Sequence, residues 1–465
     1  MKRALIITYY WPPSGGGGVQ RWLKFAQHLR ASGWEPWVVV PEGASYPVQD
    51  KSLMEDIPPD LQVLKVPIWE PFGTAQKLLG KKATDVERLG ATARPSQEKR
   101  GWGRFITRWI RGNVFIPDAR MLWVRPASQA IVTALREQPV DVLITTGPPH
   151  SVHLIGRRVQ AQLAAAGKAV PWVADFRDPW SNIDYLNDFH LTAWARRRQR
   201  QLEQRVVRAC DRLLVTAPGA ARGLLGKDNV LSDPQVWWIP NGWDAGDLPQ
   251  SKTHPTQSKG TFSLAHFGSL YASRDFSTVW KGIAKWNENH PDRPIRLELY
   301  GNTAPEVQAS LHRHMSPGDF VVHGHLPHKA AVSKMTASDG LLLLHNDTES
   351  GRDCIPGKLF EYLVVQRPLL AVGPDPGDLA WMIREELRDS HAEAPVYFSN
   401  PADDAGIEAA LASMVTPSEA KTWPQEGVAR FERKALAADL AMRLDELLLV
   451  FQNKSNMEPF QSEKP

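Results

Sequence analysis

Residues 3–29 read RALIITYYWPPSGGGGVQRWLKFAQHL. The apolar run ending at Thr8 predicts a buried strand. Val19, Trp22, Leu23, Ala26 and Leu29 recur at helical spacing and share one face. Gly15–Gly18 therefore forms a loop between a strand and the helix that it opens. Glycine lets backbone N–H groups approach a ligand closely, and a helix N-terminus favours an anion. Gly16, Gly17 and Gly18 are thus candidate contacts for a phosphate or sugar phosphate, the alternative being a plain flexible turn. The spacing fits neither the dinucleotide fingerprint nor the P-loop.

The chain has 465 residues and a formal charge of +4. That length accommodates two or three domains with full cores, and a charge this small implies no nucleic-acid partner overall. Two cysteines, Cys210 and Cys354, make no disulfide framework or metal motif and suit a reducing cytoplasm. The opening strand leaves no room for a signal peptide, and no apolar stretch nears the roughly 18 residues of a spanning helix. The expected location is the cytoplasm, with peripheral attachment to the inner face of the plasma membrane considered below.

Strand-like runs continue at Pro36–Val40, Leu61–Val66, Val140–Thr145, Trp172–Asp175, Arg212–Thr216 and 237–239. A second set comprises Phe262–Phe267, Ile295–Tyr300, Phe320–His323, Gly340–His345 and Pro368–Val372. Helical patterns separate most of them, and this alternation predicts an α/β chain with two doubly wound parallel sheets. The expected division is a domain over 1–244, a polar linker over 245–260 and a second domain over 261–425. A helix over 426–451 and a disordered tail over 452–465 complete it. Residues 80–100 are charged and aperiodic.

Several landmarks, in order along nearly the whole chain, resemble family 4 retaining glycosyltransferases. They are the strand–glycine–helix opening, Trp238-Ile239-Pro240-Asn241-Gly242-Trp243-Asp244, Phe267-Gly268-Ser269-Leu270 followed by Arg274, and Pro356-Gly357-Lys358-Leu359-Phe360-Glu361-Tyr362-Leu363. The resemblance implies a GT-B fold: two Rossmann-like domains facing a cleft, with the last helix returning to the N-terminal domain. It implies a nucleoside-diphosphate sugar held mainly by the second domain, an acceptor hydroxyl by the first, and no metal or other cofactor. A lipid-linked saccharide of a surface polysaccharide is the acceptor it suggests.

Pro356 and Gly357 precede a helix whose free N–H groups would face a diphosphate. Lys358 in its first turn opposes the helix dipole and calls for an anion nearby. Glu361 shares the face of Lys358; the resemblance makes it a ribose ligand, and an intrahelical ion pair is the alternative. The family's second acidic position is Asp353 here, with Glu349 four residues upstream as a substitute. Either is a candidate for the donor sugar. Where the family has a basic residue after Gly268 this chain has Ser269. Arg274 matches the later basic position and can fork across two phosphate oxygens; Lys281 is a weaker candidate.

In the first domain, His150 and the group Asp175, Arg177 and Asp178 lie at strand ends where an acceptor would bind. The family's histidine at the second of these edges is replaced by Arg177 or Asp178. Asp175 paired with Arg177 as a loop cap is the alternative. Residues 99–111 interleave Trp102, Phe105, Ile106, Trp109 and Ile110 with arginines. That pattern is an interfacial helix on an anionic membrane or a core helix with snorkelling arginines. The basic helix 194–208 reads as a solvated or cleft-facing element.

Overall fold

A computed structural model of the chain describes residues 1–46, 48–70, 102–248, 260–387, 395–416 and 425–457. The charged stretch at 80–100, most of the polar linker and the end of the tail lie outside these residues. The protein forms two compact units. One takes the chain to Pro240 and again from Arg433; the other is Asn241–Glu432.

The first unit contains β1 (Lys2–Thr8), α1 (Gly17–His28), β2 (Trp34–Glu42), β3 (Gln62–Pro67), α2 (Trp102–Asn113), α3 (Val124–Glu137), β4 (Val142–Gly147), α4 (Ser151–Ala165), β5 (Trp172–Phe176), α5 (Ala193–Ala209), β6 (Arg212–Val215), α6 (Pro218–Leu225) and β7 (Val236–Trp238). Its parallel strands are ordered β3-β2-β1-β4-β5-β6-β7. The central strands are buried on both faces, which is why they read as continuous apolar runs rather than alternating ones.

The second unit contains β8 (Phe262–Phe267), α7 (Ser277–Asn289), β9 (Ile295–Tyr300), α8 (Pro305–His314), β10 (Phe320–Gly324), α9 (His328–Ala337), β11 (Gly340–Leu344), α10 (Glu349–Arg352), α11 (Lys358–Val365), β12 (Leu369–Val372), β13 (Val396–Ser399) and α12 (Asp404–Val415). The strand order is β10-β9-β8-β11-β12-β13. The sequence reading did not anticipate β13, a four-residue edge strand paired only with β12. In each sheet the winding reverses once, between β1 and β4 and between β8 and β11. Ligands of such sheets bind beyond the C-terminal strand ends at that reversal.

The closing helix spans Arg433–Met457 and packs on α1. It starts later than the expected 426 because a separate short helix, Gln425–Ala429, ends where the Phe431 N–H donates to the Val428 carbonyl. Leu436, Leu440, Leu444 and Leu447 share a core cluster with Val19, Trp22 and Trp34. Lys2 and the Trp34 indole N–H both donate to Asp445.

This covering buries α1 on more than its apolar face. Gln20, Arg21 and Lys24 are buried too, and each has a partner: Arg433, Asp175 and Asp56. Asp175 is fully buried. Its oxygens accept from the Trp22 indole at 2.6 Å and from Arg21 at 3.4 Å. Arg21 also donates to the carbonyls of Ile239 and Pro240, both at 2.9 Å. Removing one member of a buried pair strands the other charge, at a cost of about 3–5 kcal/mol. Asp175→Ala should therefore lower unfolding stability by about that amount in a denaturant titration. Parent-like stability would show that the carboxylate is not a core tie.

Candidate functional site

In the second unit the chain leaves β8 at Gly268, whose φ is +145°. Gly268 N–H donates to the Tyr300 carbonyl and Leu270 N–H to the Asn302 carbonyl, so the loops after β8 and β9 are stitched together. Gly301, at φ +131°, is required by that approach, because a Cβ there would overlap the Gly268 carbonyl. The stem of Lys358 crosses the open side of Gly268, its Cε 3.4 Å from where a Cβ would sit. Gly268 and Lys358 thus come together at the sheet reversal.

Arg274 is aimed by two internal bonds. Its Nε–H donates to Asn346 Oδ1 at 2.7 Å and an Nη1–H to the Ser269 carbonyl at 3.1 Å. Three of its five guanidinium donors remain. Burial holds its pKa below the ordinary arginine value. His266 lies beneath this group, 2 % exposed, with Nδ1–H donating to the Leu342 carbonyl. Its Nε2 is therefore a lone-pair acceptor, and it has no protein partner. Burial and the nearby Arg274 and Lys358 cations push its pKa down to about 3.

Helix α11 starts at Lys358 with Gly357 as an N-cap that offers no side chain; the Leu359 and Phe360 N–H groups turn back to the Pro356 and Gly357 carbonyls instead. Asn241 packs at Gly357, 3.6 Å from the Cβ position. Glu361 lies 3.8 Å from Lys358, and its Oε2 is buried without a hydrogen bond. Glu349 is exposed on α10, while Asp353 is half-buried just past its end. His345, whose Nε2–H donates to the Gly351 carbonyl, holds the loop that joins β11 to α10. His328 at the start of α9 bonds Asp247 at 3.3 Å.

In the first unit, Gly16 has φ +92° and is the N-cap of α1; it and Gly17 face open space. Gly18 does not, since a Cβ there would overlap the Arg177 guanidinium. Arg177 donates to the carbonyls of Gly18 (2.8 Å), Gly147 (3.1 Å) and Pro148 (2.7 Å). It thereby braces the loops after β1 and β4. The sequence reading offered Arg177 and Asp175 as partners of each other, whereas each is committed elsewhere. His150 is 4 % exposed and stacks on Trp180 with ring centroids 4.8 Å apart. Burial drives its pKa down to about 3, so it is neutral and turned into the core. Asp178 is half-buried, and burial raises its pKa.

Beside these residues lies a polar network that no sequence spacing revealed. Glu70 accepts from the Tyr9 hydroxyl and the Ser45 N–H, both at 2.7 Å, and pairs with Arg120 at 3.2 Å. Arg111 is likewise turned inward rather than to an outer helix face. Its guanidinium lies over the Phe189 ring, and burial pushes its pKa down to about 10. The only advance signal was an arginine on the helix side opposite Phe105 and Trp109. Among the described residues no three His, Cys, Asp or Glu side chains are grouped to hold a metal, and no helix is long and apolar enough to cross a membrane.

No family model matches the chain, and no curated protein matches its sequence. Solved structures do match in fold. Sucrose-phosphate synthase from Thermosynechococcus elongatus aligns over 98 % of each chain with a TM-score of 0.54 and 11 % identity. The lipopolysaccharide outer core galactosyltransferase WaaB covers 97 % of this chain and 100 % of its own, with a TM-score of 0.57 and 12 % identity. A putative UDP-N-acetylglucosamine 2-epimerase from Listeria monocytogenes covers 97 % and 98 %, with a TM-score of 0.51 and 12 % identity. The chain has the GT-B fold, with two Rossmann-like parallel-sheet units.

The His328–Asp247 contact makes a pH prediction. The hydrogen bond to Asp247 raises the histidine pKa. The resulting stabilisation is complete below the unfolded value of about 6.5 and fades as pH rises through the higher folded value. His328→Gln should therefore destabilise the protein more at acidic pH than at alkaline pH in paired denaturant titrations. An equal loss at both would show that the contact carries no charge linkage.

Proposed function

We propose that the protein is a retaining glycosyltransferase that moves a sugar from a nucleoside diphosphate to a hydroxyl. The observation that carries this reading is the cationic group at the second unit's sheet reversal. Arg274 has three unused donors, Lys358 lies across Gly268, and the start of α11, which has no side-chain cap, adjoins them. All three favour a diphosphate. As the anomeric C–O bond breaks, negative charge grows on the leaving diphosphate, and these groups stabilise it. The acceptor hydroxyl attacks from the same face and passes its proton to the leaving phosphate oxygen. Glu361, with a buried unbonded oxygen, takes the ribose hydroxyls; Asp353 or Glu349 serves the transferred sugar.

On the acceptor side we assign Asp178 a ligand role, and Gly16 and Gly17 are assigned to the donor as backbone contacts. A lipid-linked saccharide is the acceptor that this reading favours, and surface polysaccharide synthesis is its setting. Helix α2 supports a membrane-facing enzyme, because Phe105, Ile106 and Trp109 are 47 %, 50 % and 39 % exposed. The same fold carries proteins named for galactosyl transfer and for epimerisation, so fold alone does not choose the reaction. A second reading, a catalytically degenerate scaffold, is favoured by Ser269, which contributes a carbonyl to Arg274 rather than a second cation.

Arg274→Ala and Lys358→Ala should each weaken donor affinity and slow donor hydrolysis at least tenfold, because a charge-assisted contact is worth about 1.5–3 kcal/mol. Hydrolysis of a nucleotide-sugar panel with both variants measures this; parent-like kinetics would remove the assignment. Turnover should also persist in EDTA. Loss on chelation with recovery in manganese would exclude the metal-independent mechanism.

A further inference from the structure

Helix α5 carries six arginines and one acid, Glu203. Glu203 is buried and accepts from the Ser181 N–H and hydroxyl, so it is turned away from the outer face. Arg196, Arg197, Arg200, Arg205 and Arg208 line one shallow depression of about 590 Å³. They recur at i, i+4 and neighbouring positions and extend over about 18 Å of helix. Among the described residues none of the five has a carboxylate within ion-pair distance, and Arg200 alone of them lies near enough to one, Glu203, to oppose the rise in its pKa. Their nearest polar contact is Arg196 with the Asn187 side-chain oxygen at 3.3 Å. Arg196 and Arg197 also sit near the positive end of the helix dipole, which disfavours them without an anion.

The packing joins this row to the exposed apolar face of α2. Asn113 at the end of α2 accepts from the Thr192 N–H at 2.7 Å, and Thr192 is the N-cap of α5. Gly112 lets the two segments meet, since a Cβ there would lie 2.6 Å from Phe189 and Leu191. Phe105 stacks on His190 with ring centroids 4.9 Å apart. Trp194, in the first turn of α5, is 65 % exposed. Contacts through Phe105, Gly112 and Asn113 therefore tie the helix that exposes Phe105, Ile106 and Trp109 to the segment that leads into Trp194 and the arginine row.

We infer that α5 is the electrostatic half of a two-helix docking surface for an anionic phospholipid bilayer, with α2 and Trp194 as its apolar half. The inference rests on the membrane-facing reading of α2 above. A row of unpaired guanidinium groups matches a sheet of lipid phosphates, and aromatic side chains beside it match the interfacial layer. An extended anionic polymer would satisfy the arginines but leave Ile106 and the adjacent rings in water.

The test is sedimentation of the full-length protein with vesicles of phosphatidylcholine, alone or mixed with phosphatidylglycerol. Binding should require the anionic lipid and weaken with salt. The triple variant Arg196→Glu, Arg197→Glu, Arg200→Glu should lose roughly tenfold or more in vesicle affinity, while the corresponding lysine triple variant binds as the parent does. Donor hydrolysis and melting temperature should be unchanged in both, which separates binding from folding. If the glutamate variant sediments like the parent while Phe105→Ser with Trp109→Ser does not, the α5 inference falls and the α2 reading stands. A parent that binds no vesicle overturns both. A parent that binds heparin or duplex DNA through these arginines, but no vesicle, assigns the row to a polyanion instead.

Discussion

The first unit depends on one buried carboxylate. Asp175 sits at the end of a central strand and receives the Trp22 indole and the Arg21 guanidinium. Arg21 in turn takes the carbonyls of Ile239 and Pro240, where the chain leaves the unit. The glycine loop, the first helix, the sheet and the exit segment are thus fixed to one another through a single ionic centre. Burying such a centre is tolerable only because nearly every donor and acceptor in it is matched. It holds α1 so that Gly16 and Gly17, rather than bulky side chains, stand beyond the strand ends.

The second unit achieves the same positioning by close backbone approach. Gly268 and Gly301 come together in conformations that side chains rarely adopt, and the stem of Lys358 and the His266 ring occupy the space where a Gly268 side chain would stand. Arg274 is held by an amide and a carbonyl, neither of which neutralises it. Neutral His266 beneath adds no competing charge. A cationic group whose carboxylate neighbour among the described residues is Glu361, 3.8 Å from Lys358, is suited to stabilising charge that appears on a ligand.

Much of this was legible from the sequence. Apolar runs located twelve of the thirteen strands among the described residues, most plainly the central ones, which are buried on both faces and carry little else. Gly268 and Lys358 were visible because one follows a strand end and the other opens a helix; Arg274 was placed by the family resemblance. Asp175 and His150 were visible for the same reason, yet their surroundings were not. Whether a polar residue at a strand end faces solvent or the core depends on partners such as Trp22 and Trp180, far away in sequence. Tyr9, Glu70 and Arg120 come from three separate segments, so no local spacing could announce them. Arg111 looked like its neighbours on α2, and only the position of Phe189 distinguishes it. The acid-free face of α5 was plain in composition; its connection to α2 through Asn113 and Thr192 was not.

The closing helix gives the first unit a particular history during synthesis. That unit is built from the beginning and the end of the chain, and the second unit is translated between them. Val19, Trp22 and Trp34 share their core with Leu436, Leu440 and Leu444, which are made only after the whole of the second unit. Until then one layer of the first unit has no cover, while the contiguous second unit already has all its strands. A nascent chain stalled before Arg433 would present an apolar stripe along α1 and is open to capture by chaperones or by other chains. The order in which the two units mature is therefore the reverse of the order in which their first strands are made.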